Sequence, residues 1–192
     1  MGSIRSDYFL SGKLLLAMPM MGDTRFHRAV IFICSHDENG AMGLMINHML
    51  PELSFQDLLG QLKIQSDIKI DLQKQKFPIM NGGPVDSARG FILHSPDFRR
   101  METTRIGDSY GLTGTIDAVR DIIKGEGPEK LLFILGYAGW TAGQLEHEIQ
   151  QNSWLVVDPD PSIIFHTTPE EKWGMAIHKL GVNPAMLSAS AG

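Results

Sequence analysis

The sequence predicts an α+β fold. Two strands adjacent in sequence near the start, helices that enter later, and the absence of a regular strand–helix alternation carry that prediction. Of the 192 residues 43% are apolar and 20% charged, so the chain has the means to build one core, and a single domain over 1–192 is expected. No internal repeat, low-complexity tract or linker divides it. The first seven residues are expected to be disordered.

Leu14–Met18 reads as a short buried strand. Ala29–Ser35 and Ala41–Asn47 read as a hairpin turning at Asp37-Glu38-Asn39-Gly40, because Asn-Gly is the strongest short hairpin signal. Ser54 is placed to cap a short helix running to Leu62, with Asp57 in its first turn. Lys63–Lys76 stays open between a loop and an edge strand. Phe77–Met80 and Gly90–Ser95 follow as strands, separated by Asn81-Gly82-Gly83-Pro84, which implies a sharp, exposed turn. Tyr110–Leu112 reads as another short strand. Thr115–Lys124 is an amphipathic helix with Ile116, Val119, Ile122 and Ile123 on one face and Gly125 past its end. Lys130–Tyr137 reads as a fully buried strand running into a glycine-rich turn. A helix over Thr141–Gln151 is then expected to open with Thr141-x-x-Gln144 as a capping box, so that loss of the Thr141 hydroxyl should cost about 1 kcal/mol. Trp154–Val157 and Ile163–Phe165 read as short strands around Asp158-Pro159-Asp160-Pro161, where two prolines speak against helix. The last helix has Thr168 as cap, Pro169 at its first position, Glu171 completing the box and Gly181 beyond its end.

Several function classes are disfavoured by composition. Leu14–Met18 and Leu131–Leu135, the longest apolar stretches, are far shorter than the roughly 20 residues a membrane helix needs. A start without an apolar segment and a lone Cys34 point to a reducing cytoplasm. Met1-Gly2-Ser3-Ile4-Arg5-Ser6 does satisfy the permissive myristoylation pattern, as cloning scars beginning Met-Gly-Ser also do. A formal net charge of −5 with scattered Lys and Arg argues against direct nucleic-acid binding. Arg99, Arg100 and Arg105 interleave with Asp97, Glu102 and Asp108, the pattern of a solvated loop.

Four constellations are candidates for chemistry. Gly136–Gln144 lies between a buried strand and a helix start, where an anion can be held, but it matches neither phosphate-binding glycine pattern, so no cofactor is expected. Tight packing with Trp140 as a wedge is the simpler reading. Within this segment Gly139-Trp140-Thr141-Ala142-Gly143 imitates a nucleophile elbow, followed by Asp158 and His166 in hydrolase order, although a threonine methyl crowds such an elbow. No metal is expected: His147-Glu148-Ile149-Gln150-Gln151 lacks the second histidine of H-E-x-x-H, and Cys34-x-His36 has no second pair. Cys34 itself reads as a small core residue. Around Gly82-Gly83, Arg89 and His94 could converge into a recess for an anionic ligand, since arginine binds carboxylate or phosphate with two hydrogen bonds. Strand alternation puts Arg89 and His94 on opposite faces, so convergence requires a bulge or bend at Gly90.

Three blocks together resemble the bacterial YqgE/AlgH family. They are Gly12–Pro19 through Phe26 to Gly40–Asn47; Gly82–Val85 with Arg89–His94; and Gly139-Trp140 with Gly143–Glu146, Trp154-Leu155 and Trp173. The resemblance covers the chain from about Tyr8 to the C-terminus. It implies an α+β fold with a branched β-sheet, a small part of it closed into a barrel, surrounded by helices. It implies no activity, because the family carries only the label of transcriptional regulator, by association with polysaccharide regulation. Ser35 stands where an acidic residue is expected before His36, and Thr141 where a small residue is expected; both departures weaken a catalytic role.

Two classes follow. The leading one is a regulatory or ligand-binding module working through a small molecule or a protein partner, with Gly82, Gly83, Arg89, His94, Gly139, Trp140, Thr141 and Gln144 as candidate binding residues. The other is an enzyme, hydrolase- or transferase-like, using the Arg89/His94 region; no catalytic residue is assigned.

Overall fold

Four consecutive apolar residues form strand β1 (Leu14–Ala17), and all four are buried, which requires cover on both faces of the sheet. The computed structural model describes residues 9–64 and 77–189. The expectations for the first seven residues and the lipidation pattern lie outside the described residues, as does Lys63–Lys76 beyond its first two positions.

The hairpin forms where expected, from β2 (Val30–Asp37) and β3 (Gly40–Met45), with Asp37 opposite Gly40. Its turn centres on Glu38-Asn39, and Asp37 Oδ1 accepts the Asn39 N–H at 2.7 Å. Gly40 follows the turn at φ 141°, where a Cβ would stand 2.2 Å from Trp140 O, so the glycine serves the neighbouring strand rather than the turn. Helix α1 (Phe55–Gln61) is capped by Ser54 as expected, and Asp57 bonds back to the Ser54 N–H, which completes a capping box. After it come β4 (Ile79–Asn81), β5 (Val85–His94), β6 (Thr104–Ile106), β7 (Tyr110–Thr113), α2 (Ile116–Ile123), β8 (Leu131–Thr141), α3 (Gln144–Gln150), β9 (Trp154–Val157), α4 (Pro169–Lys179) and α5 (Pro184–Ala189).

The strands pair in the order β6-β7-β5-β8-β3-β2-β1-β9, and β4 joins β8 off this path. Strand β8 is therefore a branch. It pairs antiparallel with β5, parallel with β4 through Phe133–Leu135, and antiparallel with β3 through Ala138–Thr141. The sheet curls into a half-barrel whose interior joins Leu14, Phe32 and Leu44 from one half to Phe91, Leu93 and Ile134 from the other. A closed barrel is not seen: among the described residues no pairing links β6 to β9. Ile163, Ile164, Trp173 and Ile177 pack into the same interior, so helical side chains cover what a closing ladder would have covered. Outside, α3 covers Leu15, Ile31 and Ile33, while α1 and α2 cover Ile79, Ile92 and Phe133.

Several readings are corrected. Ile163–Phe165 is no strand but part of a π-helical turn, Ser162–His166, in which the Thr167 N–H donates to Ser162 O at 3.1 Å. Pro161, at φ −57°, precedes that turn and Asp160 Oδ1 caps the Ser162 N–H, so the proline starts helical structure instead of forbidding it. Strand β8 continues through the expected glycine-rich turn, kinked at Gly136 with φ 76°, and α3 begins after Gly143, which occupies the left-handed region at φ 75°. Thr141 is thus the last strand residue, not the helix cap. Thr104–Ile106 is strand β6, not part of a solvated loop, with Arg100 alongside bonded to Asp121 of α2. Thr168 does precede α4 as expected, but its hydroxyl donates to the Glu171 carboxylate at 2.8 Å rather than capping a backbone N–H.

Candidate functional site

The glycine-rich segment before α3 is saturated with internal partners. Glu148 Oε2 accepts from the indole N–H groups of Trp140 and Trp154, each at 2.8 Å, and Glu148 Oε1 accepts from Gln144 Nε2 at 3.0 Å. The Gln144 carbonyl in turn accepts the Thr141 backbone N–H at 3.0 Å and the Thr141 hydroxyl at 3.3 Å. One turn away the Leu10 N–H donates to His36 Nδ1 at 3.0 Å, so Nε2 carries the proton and donates to Glu146 Oε1 at 2.8 Å. These bonds fasten α3 and β9 to the sheet and leave Trp140 as the expected wedge. Thr141 has no bond to Asp158 or His166, and Asp158 is ion-paired with Lys13. The elbow constellation does not assemble.

Gly82 and Gly83 form the branch point of the sheet rather than a sharp, exposed turn. The Gly82 N–H donates to Leu135 O at 2.8 Å and Gly82 O accepts from Met45 N–H at 2.9 Å. A Cβ on Gly82 would stand 2.2 Å from Gly136 O, and one on Gly83 2.2 Å from the Tyr137 carbonyl carbon. Both glycines are buried against backbone, which occupies the recess an anion would have used.

Arg89 and His94 are not brought together. The β5–β8 ladder breaks between Val85 and Gly90, where five steps along β5 match two along β8, from Val85 opposite Tyr137 to Gly90 opposite Leu135. The break that convergence required is present, yet it turns Arg89 outward, exposed, with its guanidinium 5.1 Å from the Phe91 ring centroid. His94 is completely buried. A carbonyl can only accept, so His94 donates from Nδ1 to Ser95 O at 2.8 Å, and Nε2 accepts the Thr113 hydroxyl at 2.8 Å. The chain continues as Thr103 O–H to Thr113 Oγ1 and Arg100 N–H to Thr103 Oγ1. Burial holds His94 below its ordinary pKa, and neither nitrogen is open to act as a base.

In front of this buried chain lies a cleft of about 110 Å³. Leu58 and Leu62 of the α1 end, Val119 of α2, and Ile79, Ile92 and Phe133 of the sheet form its apolar walls. Ala88, Gly90 and the Thr113-Gly114-Thr115 segment complete it beside the ladder break. A Cβ on Gly114 would lie 3.3 Å from Gly90 O, so the start of α2 abuts the bulged strand. Thr115 Oγ1 is buried there without a hydrogen-bond partner. The sequence reading found Gly90 and Arg89 but missed Thr113, Thr115 and Val119. Their proximity follows from β7 pairing with β5, which no local pattern announces.

Among the described residues, no three His, Cys, Asp or Glu side chains are grouped to hold a metal ion, and no helix is long and apolar enough to cross a membrane. Cys34 is buried as expected, its thiol pushed up to about 12 by burial.

Comparison with known proteins places these features in a family. The AlgH-like family model matches residues 14–185. A UPF0301 protein of Bradyrhizobium diazoefficiens is 47% identical over 188 residues, covering 96% of this chain and 88% of its own. A UPF0301 protein of Ruegeria pomeroyi is 47% identical over 184 residues, covering 95% of this chain and 98% of its own. The solution structure of the AlgH protein from Pseudomonas aeruginosa superposes with a TM-score of 0.79 at 41% identity, covering 100% of this chain and 99% of that one. A crystal structure of a Corynebacterium diphtheriae protein shares the fold, with a TM-score of 0.72 at 21% identity over 93% of this chain and 91% of that one. By sequence and by fold, the chain belongs to the AlgH-like UPF0301 family, whose function is uncharacterised.

Proposed function

We propose that the chain is a ligand-binding module that takes a small molecule in the cleft between α1, α2 and the β5–β8 ladder, and that any regulatory role runs through occupancy of that cleft. One observation carries the reading: the sheet is interrupted where an apolar cavity and a buried Thr115 hydroxyl with no hydrogen-bond partner among the described residues lie side by side. The enzyme reading through Arg89 and His94 draws no support from the geometry, since His94 stands behind the cleft wall with both nitrogens engaged. A net charge of −5 favours a small-molecule ligand over nucleic acid.

A metabolite-wide thermal-shift screen tests the proposal. A true ligand at 100 times its dissociation constant stabilises by about 2.7 kcal/mol. Ala88→Trp, at an exposed position on the cleft, should abolish that shift while its own melting temperature stays within about 2 °C of wild type. If every stabilising compound acts equally on the Ala88→Trp variant, the cleft is not the binding site and the proposal falls.

A further inference from the structure

A second pocket shares no lining residue with the cleft and opens at the end of the half-barrel, where β1 stops at Ala17 and the chain has yet to enter β2 at Val30. Its volume is about 340 Å³, and Met18, Pro19, Met21 and Pro184 give it apolar walls. Scaled from the sealed cavity of about 150 Å³ that holds benzene, it takes a ligand of about ten to twelve non-hydrogen atoms. Flexible thioether side chains mould themselves to an aliphatic body, but a polar group must fix its orientation.

Arg28 supplies that group and itself lines the pocket. Its guanidinium lies 4.9 Å from the ring centroid of Trp173, another lining residue, whose indole N–H is fixed by donating to Ala17 O at 2.9 Å. The contact engages the guanidinium with the ring while its in-plane N–H donors remain open to a carboxylate. Among the described residues no carboxylate pairs with Arg28, and the lining holds no acid. Arg25, Arg100 and Arg120 are instead held by Asp23, Asp121 and Asp117. The backbone beneath Arg28 is clamped in a rare conformation, at φ 48°. Asn47 Nδ2 donates to Arg28 O at 2.8 Å, and His48 Nε2 donates to His27 O at 2.9 Å. Strain of this kind persists only where the surroundings enforce it, and it gathers at ligand sites. Ile46, next to Asn47, accepts from the buried Lys172 ammonium at 2.8 Å, and no carboxylate pairs with Lys172 among the described residues either. Two cations without acids at one end of a chain of net charge −5 favour an anion there.

We infer that this pocket is a second binding site, for a medium-chain carboxylic acid whose carboxylate sits on Arg28 and whose hydrocarbon lies against Met18 and Met21. The inference is independent of the cleft reading. The test is an NMR titration of the full chain, labelled at the methionine, valine and threonine methyls, with octanoate and with uncharged 1-octanol. Octanoate should shift the Met18 and Met21 methyls and bind at least about tenfold tighter than octanol, as expected for a charge-assisted pair of hydrogen bonds. Arg28→Gln should erase that preference without changing octanol affinity, and Arg28→Lys should restore part of it. Should Arg28→Gln fail to fold, the acid-against-alcohol comparison in the wild type and in Arg28→Lys decides alone. Equal affinity for acid and alcohol, a preference that survives in Arg28→Gln, or no shift with octanoate overturns the inference. Octanoate that moves the Thr113 and Val119 methyls while Met18 and Met21 stay fixed also overturns it, and leaves the cleft reading standing.

Discussion

Two glycine-rich segments stand out in this chain, and they differ in what they do with their polar groups. Around Gly139–Gln144, the side chains of Trp140, Gln144, Glu146, Glu148, Trp154 and His36 all find partners, and strand β8 passes through without interruption. Around Gly82–His94, the ladder breaks, Arg89 turns outward with no acid partner among the described residues, and an apolar cleft opens at the break on the opposite face of β5. The first region has the denser motif and the second the chemistry left open. Polar residues that satisfy one another hold elements in place, and only groups left without partners are available to a ligand.

The largest effect expected from this contrast is at Gly82. Gly82→Ala puts a methyl 2.2 Å from a strand carbonyl and should cost more than about 3 kcal/mol or prevent folding. Gly139→Ala meets only the Tyr137 ring, at 3.7 Å, and should stay within about 0.5 kcal/mol. Urea unfolding of both variants measures the difference. Similar losses at the two positions would remove the distinction between branch point and plain strand.

Next in size is Glu148. Truncating it to alanine leaves two indole N–H groups without their acceptor and should cost about 2–3 kcal/mol in urea unfolding. Arg89→Ala, which breaks no pairing, should change stability by less than about 0.5 kcal/mol. A larger loss at Arg89 than at Glu148 would make Arg89 a structural residue and reverse the comparison.

The buried hydroxyl chain behind the cleft gives a pH signature. Burial lowers the folded-state pKa of His94 from its ordinary 6.5, so on acidification the unfolded chain binds this proton first. The contribution of His94 to stability is complete above about 6.5 and declines as pH falls from there through the folded value. Urea midpoints measured between pH 8 and 5 should show this acid limb, and His94→Gln, which keeps an acceptor toward Thr113, should flatten it. An unchanged limb in the variant would assign it to other groups.

The smallest effect is at Thr141. With Gly143 rather than Thr141 as the cap of α3, Thr141→Ala loses only an exposed bond to Gln144 and should cost under about 0.5 kcal/mol. The cap expected from the sequence would cost about 1 kcal/mol. Differential scanning calorimetry of the wild type against Thr141→Ala separates the two.

Local chemistry alone determined much of the fold. The Asn39-Gly40 signal located the hairpin, Ser54 and Asp57 located α1, the apolar face of Val119, Ile122 and Ile123 located α2, and Thr168-Pro169 located the start of α4. Each of those signals acts within one turn or one strand pair, so it survives without knowledge of neighbours. Only the tertiary structure decided the rest. Gly139 looked like part of a turn because the partner that keeps it in a strand, Met42 of β3, is about a hundred residues away in sequence. Gly82 and Gly83 looked exposed because the backbone they pack against belongs to β8. Arg89 and His94 looked like partners because they are five residues apart, whereas strand alternation, the break at Gly90 and burial beneath β7 send one to the surface and the other inside. A cleft is defined by what surrounds it, and four of the elements surrounding this one, α1, α2, β5 and β8, meet only after the sheet has branched and curled.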